Sequence, residues 1–406
     1  MKCGLLGRKL GHSYSPVIHS HLGPYAYDLF EKEPENLEGF LKKGDFDGIN
    51  VTMPYKKSVI PFLDELSPEA LALGAVNTIV RRDGKLIGHN TDLFGFRSML
   101  LRSGLQVTGK KCLVCGTGGA ANTVQAVLRQ HGADVVVLSR SGPITYDQLP
   151  AHADAALVVN CTPVGMYPHV GQSPLDLGLL PRLEGVLDVV YNPARTQLLL
   201  DAEKRDLPTM NGLWMLVAQA VEASNWFQNK PLEASLIPRI YEILRRQMEN
   251  IILIGMPGCG KSTIGRMIAE KTGKRFADSD QWIVEQAGIS IPEIFSQYGE
   301  AHFRYLEHEA LCALGKESGL VIATGGGCVT REENYEPLHQ NGTIYYLQRD
   351  LERLPTDGRP LSQSNQLQDL YASRKPLYER FTDHCIDNNG TPDGTIQAIL
   401  NKEGTI

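Results

Sequence analysis

The chain has 406 residues, 42% of them apolar, and a net charge of −6 with both signs scattered along it. That length and apolar content allow two or three domains with buried cores, and the dispersed charge excludes the basic clustering of a nucleic-acid binder. No stretch reaches the roughly 20 apolar residues of a membrane span. The opening MKCGLLGRKLGHS has an apolar run too short for a secretion signal, and Arg8 and Lys9 break it.

In chain order, FDGINVTM reads as a strand, and after Pro54 the stretch YKKSVIPFLDEL has helical spacing. AVNTIVRRDGKLIGHNTD reads as a hairpin turning at Asp83-Gly84. A first glycine-rich loop lies in CLVCGTGGAANTVQAVLRQHG, between a short apolar run and a helix-like stretch. VVVLSR, ALVVNCTP and GVLDVVY follow as short apolar strands spaced for a parallel α/β sheet. Helices are expected over about 212–228 and 233–248, and a strand at about Ile251 leads into a second glycine loop, NIILIGMPGCGKSTIGRMIAEKTG. The eight dispersed cysteines do not form a disulfide framework and fit a reducing, cytoplasmic setting. Cys112 and Cys115 form a CxxC inside a strand-like run and read as inert core thiols. The expected organisation is a substrate domain over 1–95 completed by 212–248, a dinucleotide domain over 96–211, and a further α/β domain over 249–406.

The second loop, Gly255 to Ser262, fits G-x-x-x-x-G-K-S/T in full. Placed between strand and helix, such a loop turns backbone amides toward phosphates. Gly258, Cys259, Gly260, Lys261, Ser262 and Thr263 are the candidate ATP contacts. Lys261 would reach the β- and γ-phosphates and Ser262 would bind Mg²⁺. Downstream come Asp278 and Asp280 in ADSDQWI, Arg304 in GEAHFRYLE, Gly325, Gly326 and Gly327 in ATGGG, Arg359 in DGRPL and Arg374 in SRKPLYERF. This set, in this order, resembles shikimate kinase across about 250–390. The resemblance implies a P-loop parallel α/β domain of the nucleoside-monophosphate-kinase kind. It further implies that Asp280 binds and orients or deprotonates the acceptor hydroxyl, and that Asp278 helps hold Mg²⁺ through water. Arg304 and Arg374 would grip the substrate carboxylate, Gly325–Gly327 would close on the ring, and Arg359 would act from a lid. Guanidinium groups suit that carboxylate because they pair with it bidentately.

The first loop, Gly116-Thr117-Gly118-Gly119-Ala120-Ala121, is a G-x-G-x-x-A turn. The next strand ends in Ser139-Arg140-Ser141, without the carboxylate that would accept from a ribose 2′-hydroxyl. Arg140 therefore points to a 2′-phosphate and to NADP(H). Around this loop stand Ser13 and Ser15 in GHSYSP, Asn50, Thr52 and Lys56 in NVTMPYKK, Asn77 in GAVNT, Asp92 in HNTD, Met166 in CTPVGM, Tyr191, and Gly212, Met215 and Gln219 in NGLWMLVAQ. This order resembles shikimate dehydrogenase, with its quinate-handling relatives, over about 1–245. The resemblance implies an α/β substrate domain followed by a Rossmann-type NADP domain. It implies that Ser13, Ser15, Thr52, Asn77, Asp92, Tyr191 and Gln219 bind substrate, and that Lys56 paired with Asp92 is catalytic. Gly116, Gly118, Gly119, Ala120, Arg140, Met166, Gly212 and Met215 would hold the cofactor. Lys57, beside Lys56, reads as a solvated residue.

Together the two halves point to a bifunctional enzyme that reduces 3-dehydroshikimate and phosphorylates the product. Its expected cofactors are NADP(H), ATP and Mg²⁺, and its partners small molecules; it would be a monomer or homodimer. Two alternatives stay open: one half could be a non-catalytic ligand-binding module, or the first substrate could be quinate.

Overall fold

The computed structural model describes residues 1–11, 13–354 and 364–404. It divides into two compact units. One comprises 1–165, 171–191 and 197–243; the other comprises 166–170, 192–196 and 244–406. No described helix is long and apolar enough to cross a membrane.

The first unit holds two sheets. The first has the order Ala26–Glu31, Lys2–Gly7, Gly48–Val51, Thr78–Arg82, Lys85–His89, Glu65–Leu66. Its first three strands are parallel, and the expected hairpin enters antiparallel beside Gly48–Val51. Asp83 and Gly84 both take positive φ (50° and 78°), the twist that suits a two-residue hairpin turn. Leu6, Ile49, Val51, Val76 and Ile79 form the core against this sheet.

The helix expected in YKKSVIPFLDEL does not form. Only Ile60–Phe62 makes a 3-10 turn, and Glu65–Leu66 joins the sheet edge. Pro61 has no N–H to donate, and Val59 and Ile60 are β-branched. The competing partner is the hairpin: Asp64 N donates to Leu86 O, and Leu86 N donates to Asp64 Oδ2 at 2.7 Å.

The second sheet is wholly parallel, in the order Thr209–Met210, Gly185–Asp188, Leu157–Asn160, Lys111–Cys115, Asp134–Leu138. Strand order reverses between Lys111–Cys115 and Leu157–Asn160. A crevice outside the carboxyl ends at such a switch point is where doubly wound sheets bind ligands. Helix Gly119–Gln130 covers the sheet with Ala121, Val124, Val127 and Leu128. Helix Asp92–Ser103 packs on helix Leu213–Gln228. Their close approach needs Gly95, where a Cβ would lie 2.8 Å from Met215 O and 3.0 Å from Gln219 Cβ. Cys112 and Cys115 are free and buried, and burial pushes both thiols up to about 12.

In the second unit, five parallel strands run in the order Arg275–Asp278, Leu320–Ala323, Asn250–Ile254, Gly342–Gln348, His384–Asp387. Asn250–Ile254 and Leu320–Ala323 are buried along their whole length, as central strands covered on both faces must be. Helix Leu236–Met248 leads almost directly into Asn250–Ile254, and the division between the units falls inside it, between Ile243 and Leu244.

Candidate active sites

In the first unit, the hairpin and the start of helix Asp92–Ser103 bring several predicted residues into one hydrogen-bonded network. Lys56 Nζ lies 2.6 Å from Asp92 Oδ2, with both side chains mostly shielded. Asn77, only 3% exposed, donates to Asp92 Oδ1 at 2.9 Å and to Thr91 Oγ1 at 3.0 Å. Gln219 Oε1 closes the network from the facing helix, 3.5 Å from Asn77 Nδ2 and 3.4 Å from Thr91 Oγ1. Behind it, Asn50 donates to Thr78 Oγ1 at 3.2 Å and accepts from Tyr27 OH at 2.7 Å. A lysine fixed by a carboxylate and flanked by neutral amides and hydroxyls can deliver a proton beside a polyol.

Ser13 and Ser15 stand at the start of helix Ser15–Ser20, where Ser15 N donates to Ser13 Oγ at 3.2 Å. Tyr14 and Tyr191 meet edge to face at 6.2 Å. Thr52 follows the strand Gly48–Val51, its N–H donated to Leu6 O. Lys57 is exposed, as expected. His12 lies outside the described residues.

The first glycine loop leaves the switch-point strand through Gly116, whose φ of 105° suits glycine. A Cβ on Gly118 or Gly119 would meet nothing within 4 Å, so both open onto free space. Helix Gly119–Gln130 begins there without a side-chain cap, which leaves its first N–H groups available to an anion. Arg140 is exposed just beyond the next strand. These features fit a dinucleotide carrying a 2′-phosphate. Gly212 N donates to Val190 O at 3.0 Å, and Met215 is buried on helix Leu213–Gln228. Met166 is 44% exposed and falls in the second unit.

In the second unit, the strand Asn250–Ile254 feeds the phosphate loop, and Gly255, Gly258 and Gly260 all take positive φ (145°, 83° and 98°). Lys261 is buried, its Nζ donating to Gly255 O at 2.8 Å and Met256 O at 3.1 Å. Ser262 Oγ donates to Asp278 Oδ2 at 2.7 Å, so a hydroxyl and a carboxylate are paired where a hard cation would sit. Asp278 also caps helix Ser279–Ala287, accepting from Asp280 N and Gln281 N. Asp280 therefore lies in the first turn of that helix, two residues beyond the end of the strand Arg275–Asp278.

Asp280 Oδ1 and Glu307 Oε1 are buried acceptors without a partner. Both face the same point: a Cβ on Gly325 would lie 2.7 Å from one and 2.8 Å from the other. Burial, and then the neighbouring Asp278, pushes Asp280 up to about 6. Arg304 Nη1 donates to Glu307 Oε2 at 2.8 Å, and a Cβ on Gly327 would meet that guanidinium at 2.1 Å. Arg374 Nη1 and Tyr378 OH both donate to Gly326 O, at 3.0 and 2.5 Å. Asp280, Arg304, Arg374 and the triple glycine thus gather in one place. Thr263 follows Ser262 in the first turn of helix Lys261–Thr272, and Cys259 is fully buried. Arg359 lies outside the described residues.

Glu307, Tyr378 and Thr91 belong to these sites and were not singled out in the sequence. Glu307 carried a signal, its three-residue helical spacing from Arg304.

Residues 257–402 match the family model for shikimate kinase, and residues 5–79 match that for the shikimate dehydrogenase substrate binding domain. The chain is 34% identical to the shikimate dehydrogenase (NADP(+)) of Clostridium beijerinckii, over 61% of this chain and 98% of that one. Shikimate dehydrogenase 1 of Peptoclostridium difficile superposes with a TM-score of 0.56 at 36% identity, covering 60% of this chain and 97% of its own. A chorismate mutase/shikimate 5-dehydrogenase fusion from Clostridium acetobutylicum gives 0.58 at 34% identity, covering 60% and 96%. The chain belongs to the shikimate dehydrogenase family through its first unit, and its second carries a shikimate kinase domain.

Proposed function

We propose that the chain catalyses two consecutive reactions: NADPH-dependent reduction of 3-dehydroshikimate to shikimate, then ATP-dependent phosphorylation of shikimate to shikimate 3-phosphate. The observation that supports this reading is the presence of two polar constellations, one around Lys56 and Asp92 and one around Asp280 and Arg304, each in a unit that also carries a glycine-rich phosphate-binding loop.

In the first reaction the bound nicotinamide supplies the hydride. Lys56 stands where negative charge grows on the ketone oxygen and gives it a proton; Asp92 holds the ammonium in place. Asn77 and Gln219, joined through Thr91, read the ring hydroxyls, and Ser13, Ser15, Thr52 and Tyr191 complete the contacts to the substrate. Gly116, Gly118, Gly119 and Ala120 carry the pyrophosphate, Arg140 the 2′-phosphate, and Gly212 and Met215 the nicotinamide end.

In the second reaction Arg304 and Arg374 orient the acceptor by its carboxylate, with Gly325–Gly327 against the ring. Asp280, raised toward neutrality by burial, accepts the proton of the attacking hydroxyl. Lys261, the loop amides through Thr263, and Arg359 neutralise the phosphates. Ser262 and Asp278 would hold Mg²⁺, which supplies charge neutralisation when bound. The enzyme acts in the cytoplasm on small molecules, as a monomer or homodimer.

The test supplies 3-dehydroshikimate, NADPH, ATP and Mg²⁺ and measures shikimate 3-phosphate. Lys56→Ala abolishes NADPH oxidation and spares phosphorylation of added shikimate, while Asp280→Asn does the reverse. Loss of both activities from either folded variant would refute the two-site reading. Comparing NADP⁺ with NAD⁺ on shikimate and quinate tests the first substrate and the part of Arg140.

A further inference from the structure

Arg349 is absent from every motif quoted above. It follows the strand Gly342–Gln348, which runs parallel to the loop-feeding strand with Tyr346 opposite Ile254. That puts it at the carboxyl end of the sheet, the end at which open parallel sheets bind ligands. A Cβ built on Gly260 would lie 3.8 Å from Arg349 Nη1 and 3.7 Å from Asn388 Nδ2. The guanidinium therefore flanks the last loop residue before Lys261.

Its Nε is buried without a hydrogen-bond partner, and among the described residues the group makes no ion pair. Nearby groups are committed elsewhere. Asp350 Oδ1 accepts from Asn389 Nδ2 at 3.2 Å, and Asn388 Nδ2 donates to Cys259 O at 2.5 Å. A half-buried guanidinium without a counter-anion is costly, and an anion brought by a ligand removes that cost. Its planar donor set suits phosphate oxygens.

We infer that Arg349 is a further phosphate-binding residue of the kinase domain, pairing with ATP or ADP on the flank of the loop formed by Gly260 and Asn388. The inference rests on the kinase reading of the second unit.

The test uses the full chain with Arg349→Gln and Arg349→Lys, measuring dissociation constants for ADP and for shikimate by calorimetry and KM for ATP. Loss of one charge-assisted phosphate contact is expected to weaken ADP binding and raise KM for ATP by roughly 10-fold or more. Shikimate binding should stay within about twofold, and lysine should restore part of the loss. NADPH-linked activity of the same preparations reports that the chain is folded. ADP binding within twofold of the parent in Arg349→Gln would overturn the inference, as would equal weakening of ADP and shikimate. A parent that binds ADP yet never phosphorylates shikimate would sink the proposed reaction instead, and the ADP comparison would still decide the part of Arg349.

Discussion

Gly95→Ala tests whether the dehydrogenase site depends on how closely two helices approach. The added Cβ would sit 2.8 Å from Met215 O and 3.0 Å from Gln219 Cβ. Ordinary carbon contacts lie near 3.5–4.0 Å, so the helices must part by roughly half an ångström to one. Overpacking of this kind costs about 1–3 kcal/mol. Alanine in a helix interior regains about 1 kcal/mol over glycine. The net loss is roughly 0–2 kcal/mol, small enough for the unit to stay folded. The site is more sensitive. Gln219 Oε1 lies 3.5 and 3.4 Å from its two donors, at the limit of hydrogen bonding, and any separation breaks both contacts. Displacements of about 1 Å can cost on the order of 100-fold in rate, so a drop of about 10- to 100-fold in kcat/KM for 3-dehydroshikimate is expected. NADPH oxidation followed at 340 nm reads this, with phosphorylation of added shikimate as the internal control. A folded Gly95→Ala enzyme with kcat/KM within twofold of the parent would refute the helix-spacing argument.

Gly325→Ala should remove phosphorylation and leave NADPH oxidation within about twofold, because its Cβ would press on both Asp280 Oδ1 and Glu307 Oε1; calorimetric binding of shikimate and a kinase assay check it. His19 is fully buried, stacked on Tyr27 at 4.0 Å, and burial lowers it from 6.5 to about 3. The fold holds the neutral ring and the unfolded chain takes up the proton, so this stability is whole above pH 6.5 and falls by about 1.4 kcal/mol per unit toward pH 3. Urea unfolding of the first unit between pH 7 and 4.5 should show a shallower pH slope in His19→Gln, and identical slopes would contradict this. Iodoacetamide at pH 8 should label exposed Cys385 and spare Cys112, Cys115 and Cys328, as peptide mass mapping can show.

The parts legible in the sequence were those whose requirements are local. The phosphate loop needs glycines, a lysine and a hydroxyl within eight residues, and each positive-φ position there is a glycine. The Asp83-Gly84 turn was legible for the same reason. The failed helix at YKKSVIPFLDEL shows the opposite case: its spacing was periodic, but Asp64 pairs with Leu86, 22 residues away. Glu307 was only partly legible: its three-residue spacing from Arg304 signals an ion pair, but its complete burial beside the triple glycine appears only in the fold. Arg349 carries no motif, and its place beside Gly260 appears only once two parallel strands are in register. Asn50 was noted in the sequence, but its bond to Tyr27 joins two strands that no periodicity relates.

The two carbonyls that Lys261 grips within its own loop bear on how tightly a nucleotide can be held. A lysine tethered at both Gly255 O and Met256 O has already surrendered most of its rotamer freedom, about 2 kcal/mol for a free side chain. Capturing a phosphate then becomes an exchange of acceptors in which little further order is imposed. Affinity gains on the entropic side and gives some of it back in enthalpy, because the carbonyls must be released when the anion arrives.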